Sequence, residues 1–256
     1  MTKQELQKAR EYKVVKANEL IQKSRFELSL TEQKSIAYIC SMIKPGTKDG
    51  YILDYEFSIR EYCKICGLDY NNGKNYANVK DTLKKLSDRS MWVEFGDTEI
   101  LCRWLAKVKT NKKSGIAQIR IDEDLAPLLF NLQQRFTEYE LYNILGMKSA
   151  FSHRLYEILK SYEFHKTIVL ELDKLKIMLG VENVKSYERF PDFRRFVLEI
   201  ALEEINELTD INVTYDTSKT GKKVTSIVFK IKRKDPFDRL VAQYTTDERL
   251  KGTTKK

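Results

Sequence analysis

Arginines, lysines and asparagines grouped near helix starts and at hairpin tips are the residues of this 256-residue chain whose types and spacing can do chemistry. That chemistry is the recognition of phosphates and base edges. Arg189, Arg194 and Arg195 surround the opening of a long apolar-periodic helix that begins at Pro191. A guanidinium there can meet guanine O6 and N7 bidentately, for about 1–3 kcal/mol of discrimination. The competing reading pairs these arginines within the chain, near Glu188, Asp192 and Glu199. Lys74, Asn75, Asn78 and Lys80 occupy the early turns of another helix, whose buried face is Val79, Leu83 and Leu86. Asparagine pairs with adenine, while lysine more often positions against phosphate. That helix carries no arginine, so the expectation is a grip on backbone more than a reading of bases. Lys112 and Lys113 crown one hairpin tip, and Lys219, Lys222 and Lys223 crown another. Such tips suit phosphate or minor-groove contact, or they protect sheet edges.

Catalytic constellations fall short. Strand cleavage by a tyrosine with a histidine-held metal needs paired histidines. Of the two present, His153 and His165 lie far apart, whereas tyrosines number 14. The chain has no Gly-x4-Gly-Lys-Ser/Thr loop, no His-Glu-x-x-His and no Gly-x-Gly-x-x-Gly. Asp122-Glu123-Asp124 directly precedes Leu125-Ala126-Pro127 and reads as a helix cap before it reads as a two-metal site. Cys63-x-x-Cys66 is half of a zinc knuckle, but Cys40 and Cys102 do not complete it at suitable spacing. Buried thiols are the simpler reading. The expectation is a non-enzymatic chain with no cofactor and no metal.

The formal charge is +9, from 46 basic and 37 acidic residues, and both halves share it. A polyanion is the natural partner, nucleic acid ahead of a membrane surface, although the same excess also serves solubility. The composition, 42% hydrophobic with 10 Gly and 4 Pro, excludes collagen-like and low-complexity chains. No apolar run approaches the roughly 18–20 residues of a membrane span. The opening Met1-Thr2-Lys3-Gln4-Glu5 lacks the apolar core of a secretory signal, so no membrane partner and a cytoplasmic location are expected.

The elements that position these groups run through one series twice. Ser29-x-x-Glu32 is a capping box ahead of the stripe Ile36, Ala37, Ile39, Cys40 and Ile43, ended by Pro45-Gly46. A strand over 51–57, the box Ser58-x-x-Glu61, a helix to Gly67, the turn Asn71-Asn72-Gly73 and a helix over 75–87 follow. Two strands then sandwich the tip Asn111–Gly115, one with Ile100, Cys102, Trp104, Ala106 and Val108 on a face, the other with Ala117, Ile119 and Ile121. Thr137-x-x-Glu140 reads as a third box, before helices ending near Gly146 and spanning 149–164. A strand over 167–172, an Asp173-capped helix, the long helix to Leu208 with Phe193, Val197, Ile200, Ala201, Ile205 and Leu208 inward, and a hairpin over 211–232 complete the second series. The order predicts an α+β fold of two tandem winged helices, each a helix-turn-helix with a β-hairpin wing. The expected division is a polar segment 1–13, a first domain 14–132, a second domain 133–234 and a tail 235–256 whose end is disordered.

Particular stretches also resemble theta-type, iteron-binding plasmid replication initiators with two winged helices. Val15–Ile21 and Leu28–Lys34 resemble their opening, Ser149 with Arg154–Lys160 the start of their second domain, and Phe193–Phe196 with Ile205–Val213 its recognition helix and wing. The resemblance covers roughly 14–234. It implies binding to directly repeated origin sites in double-stranded DNA and opening of an adjacent AT-rich tract. It further implies recruitment of a host replicative helicase and host initiator, and a homodimer, formed through the first domain, in equilibrium with monomer. Tandem units should cover a site on the order of 20 bp. A winged-helix transcriptional repressor is the alternative, and Leu101 and Leu105 are read either as a pairing surface or as core.

Overall fold

The computed structural model describes residues 1–24, 27–43, 51–68, 74–95, 97–130 and 135–253. The first half contains α1 (Lys3–Arg10), β1 (Lys13–Ala17), α2 (Asn18–Gln22), α3 (Leu30–Met42), β2 (Asp54–Ser58), α4 (Ile59–Ile65), α5 (Lys74–Asp88), β3 (Ser90–Phe95), β4 (Thr98–Arg103), β5 (Leu105–Asn111), β6 (Ile116–Ile121) and α6 (Ala126–Phe130). The second contains β7 (Phe136–Glu140), α7 (Tyr142–Leu145), α8 (Ala150–Ser161), β8 (Thr167–Glu171), α9 (Leu172–Met178), α10 (Phe190–Phe193), α11 (Glu199–Leu208), β9 (Ile211–Thr220), β10 (Lys223–Arg233) and α12 (Pro236–Thr253). Helix, strand, two helices and hairpin recur as α3-β2-α4-α5-β5-β6 and as α8-β8-α9-α10/α11-β9-β10. The three-stranded sheets have the same order, β2-β6-β5 and β8-β10-β9, antiparallel throughout. The two winged helices are therefore built alike, and β3–β4 is a hairpin inserted in the first.

Local sequence dictates much of this. Ser29 accepts from the Glu32 backbone N–H while the Glu32 carboxylate accepts from the Ser29 N–H at 2.7 Å. Such a cap is worth about 1 kcal/mol. Ser58 caps α4 by accepting from the Glu61 N–H. Asp122 caps a short turn at 123–125 by accepting from the Asp124 N–H. In α3, Ile36, Ala37, Ile39 and Cys40 are buried; in the second half, Phe193, Ile205, Leu208 and Phe229 are.

Other expectations are corrected. Thr137-x-x-Glu140 is not a helix cap: the segment is β7, paired antiparallel with β1 in register Val15↔Glu138. Thr137 and Tyr139 point inward, and the Thr137 hydroxyl donates to Asn18 Oδ1 at 2.6 Å. The single strand expected through Trp104 is broken there into β4 and β5, with a register shift at Leu105/Lys107 that leaves Ala106 exposed. Between α10 and α11, Arg194–Leu198 form a π turn. That wider turn moves Ile200 to the surface and turns Leu198 and Leu202 inward. Helix α9 begins at Leu172, so Asp173 lies inside its first turn and is not its cap; Glu171 holds the cap position without a side-chain hydrogen bond. Within the polar opening segment and the tail, residues 3–10 and 236–253 form helices α1 and α12, for which no element was expected. The turns at Pro45-Gly46 and 71–73, and the disorder expected for the last residues, lie outside the described residues.

Candidate nucleic-acid interface

The second winged helix gathers its cations around one groove. Pro191 stands in the first turn of α10. Its fixed φ suits that place and its missing N–H costs nothing there. Phe193 anchors the turn, fully buried, edge-on to Tyr187 at 6.4 Å and under the Lys176 ammonium at 5.8 Å. The preceding Arg189 is thereby held at the surface, with only a loose 3.6 Å contact to Asp192. Across from it, the β9–β10 hairpin turns at Gly221, whose φ of +62° requires glycine. A bulge between Val224 and Ser226 aims the tip. Arg189, Phe190 and Pro191 from the helix start, Lys176 and Ile177 from α9, and Lys219, Lys222 and Lys223 from the hairpin line a single groove of about 730 Å³. Asp173, Glu182 and Glu188 face the same space. The three wing lysines are exposed and form no ion pair among the described residues. These lysines leave positive charge on the groove's rim.

Arg194 and Arg195 open the π turn and project outward along the next stretch of helix. Arg194 Nε lies 3.2 Å from Glu199 Oε1, with both side chains half-exposed. A pair so open to water is worth about 0–1 kcal/mol. The Arg195 guanidinium stacks over the exposed Phe196 ring, 5.2 Å from its centroid. Phe196 entered the sequence reading only as the end of the Phe193–Phe196 motif and not as a contact residue.

The first winged helix is more dispersed. Lys74 and Asn75 begin α5, but their side chains lie outside the described residues. Asn78 and Lys80 are exposed and flank the buried stripe of Val79, Leu83 and Leu86 on its two sides. Lys112 and Lys113 sit at the exposed wing tip, where Asn111 Oδ1 accepts from the backbone N–H groups of Lys113 and Ser114 at 2.9 and 3.1 Å. Lys107 and Lys109, missed from sequence although they alternate at strand period, share the outer sheet face with Arg120, which pairs with Asp54. Of the candidate pairing residues, Leu105 is buried, while Leu101 is half-exposed directly across the ladder from half-exposed Trp92.

Buried polar contacts fix the two winged helices relative to each other. Lys16 on β1 donates to Glu157 on α8, and Tyr139 donates to the same oxygen at 2.6 Å. His153 Nε2 stands 3.5 Å away. Burial would raise the Glu157 carboxyl, but Lys16 and His153 hold it well below its ordinary range. Burial also lowers His153 and takes Arg154 down to about 10. Arg154 donates to the Met178, Ile21 and Ser24 carbonyls, tying α2 to the second domain. Lys34 donates to the Leu145 and Met147 carbonyls, and burial lowers it to about 8. Helix α12 braces both halves. Asp247 pairs with Arg10 at 2.6 Å, and Arg249 with Glu204 at 3.2 Å. A Cβ on Gly67 would stand 2.6 Å from Leu250, and one on Gly146 3.1 Å from Thr246.

All four cysteines are buried, which pushes Cys40, Cys63 and Cys102 up to about 11 and Cys66 to about 12, so they pack as neutral thiols. Among the described residues no group of three or more His, Cys, Asp and Glu is disposed to hold a metal, and no helix is long and apolar enough to cross a membrane.

Comparison with known proteins agrees with this architecture. Residues 13–160 match the family described as "Initiator Replication protein, WH1", and residues 171–231 that described as "Initiator Rep protein, WH2". A replication initiation protein of Escherichia coli is 24% identical over 229 residues, 85% of this chain and 69% of that protein. An uncharacterized 27.6 kDa protein of Escherichia coli is 26% identical over 231 residues, 85% of this chain and 95% of that protein. The crystal structure of the Pi initiator protein in complex with iteron DNA has the same fold, with a TM-score of 0.72 at 19% identity over 88% of this chain and 99% of that one.

Proposed function

Since this chain belongs to the initiator replication protein family, we propose that it is a plasmid replication initiator that binds directly repeated origin sites, iterons, in double-stranded DNA. It acts by binding and not by catalysis. The observation that carries the reading is the groove in which Arg189 faces Lys219, Lys222 and Lys223. A recognition helix and a wing flank one space with exposed cations on both sides, as a duplex needs. The Pi initiator, whose fold this chain shares, was solved on iteron DNA, which supports the same ligand here.

In this reading the second domain, 133–234, recognises the repeat. Arg194 and Arg195 reach base edges while Arg189 and the wing lysines hold phosphates. The first domain, 14–132, grips backbone through Lys74, Asn75, Asn78, Lys80, Lys112 and Lys113. Its inserted hairpin, with Trp92 and Leu101 outward, pairs two copies into a dimer in equilibrium with monomer. Bound copies help open an adjacent AT-rich tract and recruit a host replicative helicase and host initiator in the cytoplasm.

A mobility-shift titration on duplexes containing the repeats near the gene tests this. With about 6–10 phosphates neutralised, affinity should fall roughly 1,000- to 100,000-fold between 50 and 200 mM salt. Salt-insensitive binding, or equal binding to repeats and scrambled duplex, overturns the reading.

A further inference from the structure

Helix α12 carries two apolar faces, and its bracing of the two halves uses only one. Ala242, Thr246 and Leu250 are buried. On the other side Phe237, Leu240, Val241 and Tyr244 are 73, 62, 48 and 67% exposed. Their spacing of three, four and seven places them in one stripe. Four such side chains make a patch of about 300–600 Å², the size of the largest apolar patch on a typical monomer, which is often functional. The stripe lies far from the proposed DNA groove. Arg249 ties α12 to Glu204 and Glu207, at the C-terminal end of α11, whereas the arginines stand at the start of that helical stretch and the wing tip ten strand residues beyond Ile211.

We propose that this stripe is a self-association surface, joining two copies of this chain through antiparallel α12 helices at a place separate from the β3–β4 hairpin. The stripe is complementary to itself. One antiparallel register sets Phe237 against the partner's Tyr244 and Leu240 against the partner's Val241, so apolar meets apolar along its whole length. The same register brings exposed Arg233, which stands a loose 3.9 Å from Glu163 in its own chain, toward the partner's Glu248, whose own-chain contact is the exposed Lys251. A parallel pairing would instead oppose Glu248 to itself and align the helix dipoles. Two stripes bury on the order of 1,000 Å², the lower limit of a specific interface, so the association is weak and reversible. Both DNA grooves stay open, which lets copies pair while bound.

Sedimentation equilibrium of the full chain separates this surface from the hairpin. Trp92→Glu places a charge on the hairpin's outer face, and Leu240→Glu does so on the stripe. The Trp92→Glu chain should still self-associate at about 100 μM, and adding Leu240→Glu should weaken that association at least ~10-fold. Leu240 is exposed, so the melting temperature and DNA affinity of the Leu240→Glu chain should stay unchanged, which distinguishes failure here from failure of the DNA reading. In a second measurement, Leu240→Cys should oxidise to a covalent dimer without denaturant, while Lys219→Cys on the wing should not; the four native thiols are buried. A monomeric Trp92→Glu chain with no cross-link through position 240 overturns the proposal and leaves the stripe to a different protein. Equal association with and without Leu240→Glu overturns it as well.

Discussion

Lys16 Nζ lies 2.6 Å from Glu157 Oε1, with both side chains buried. One residue belongs to a strand near the start of the chain and the other to the helix that opens the second winged helix. Their pairing fixes the first winged helix against the second. Removing one partner of a buried pair strands the other charge, at about 3–5 kcal/mol. Lys16→Met should therefore lower stability by that amount in denaturant titration. Lys16→Met with Glu157→Leu should recover part of it, since no lone charge remains.

Acid should loosen the same junction in two steps. His153 is lowered from its ordinary 6.5 by burial, so the unfolded chain takes up a proton before the folded one does. Stability should decline as pH falls below 6.5. Glu157, held well below its ordinary 4.5, adds a second decline below that value. Melting temperatures from pH 7.5 to 4 check the sign. His153→Leu should flatten the first step and keep the second.

The wing lysines should act without regard to sequence. Replacing Lys219, Lys222 and Lys223 with Ala should weaken binding to any duplex and flatten the slope of log affinity against log salt by about 0.9 per lost contact. Titrations at several salt concentrations on specific and scrambled duplexes measure this.

Arg194 and Arg195 should behave differently. Loss of the base-reading arginine should cost about 1–3 kcal/mol on the repeat and relax discrimination at one base position, with little change in nonspecific affinity. Competition with singly substituted repeats, for Arg194→Ala and Arg195→Ala separately, identifies which arginine reads.

What was legible in the sequence was local. The Ser29–Glu32 box and the apolar stripe behind it need only neighbouring residues, and the duplicated order of elements follows from such signals. Thr137-x-x-Glu140 has the same spacing yet forms a strand, because its partner β1 lies far away in the chain and Val14 and Lys16 pack behind it. Nothing in the residues around Arg194 announces a π turn, so Ile200 was assigned inward. Strand β3 was missed, although Met91 and Val93 alternate with Trp92 and Glu94. The inner face of α12 was missed too, although Ala242, Thr246 and Leu250 recur one turn apart. The groove's cations were found by type, but the facing of Arg189 and the wing is a product of tertiary folding.

Hydroxyl-radical footprinting on a duplex carrying one repeat tests the central claim most directly. Two like-built readers held rigidly together should protect two patches on one face of the helix, one turn or about 10 bp apart, within roughly 20 bp. The patch nearer the second domain should vanish when Arg189, Lys219, Lys222 and Lys223 are replaced by Ala. A single protected patch, or two that persist in that variant, would contradict the account.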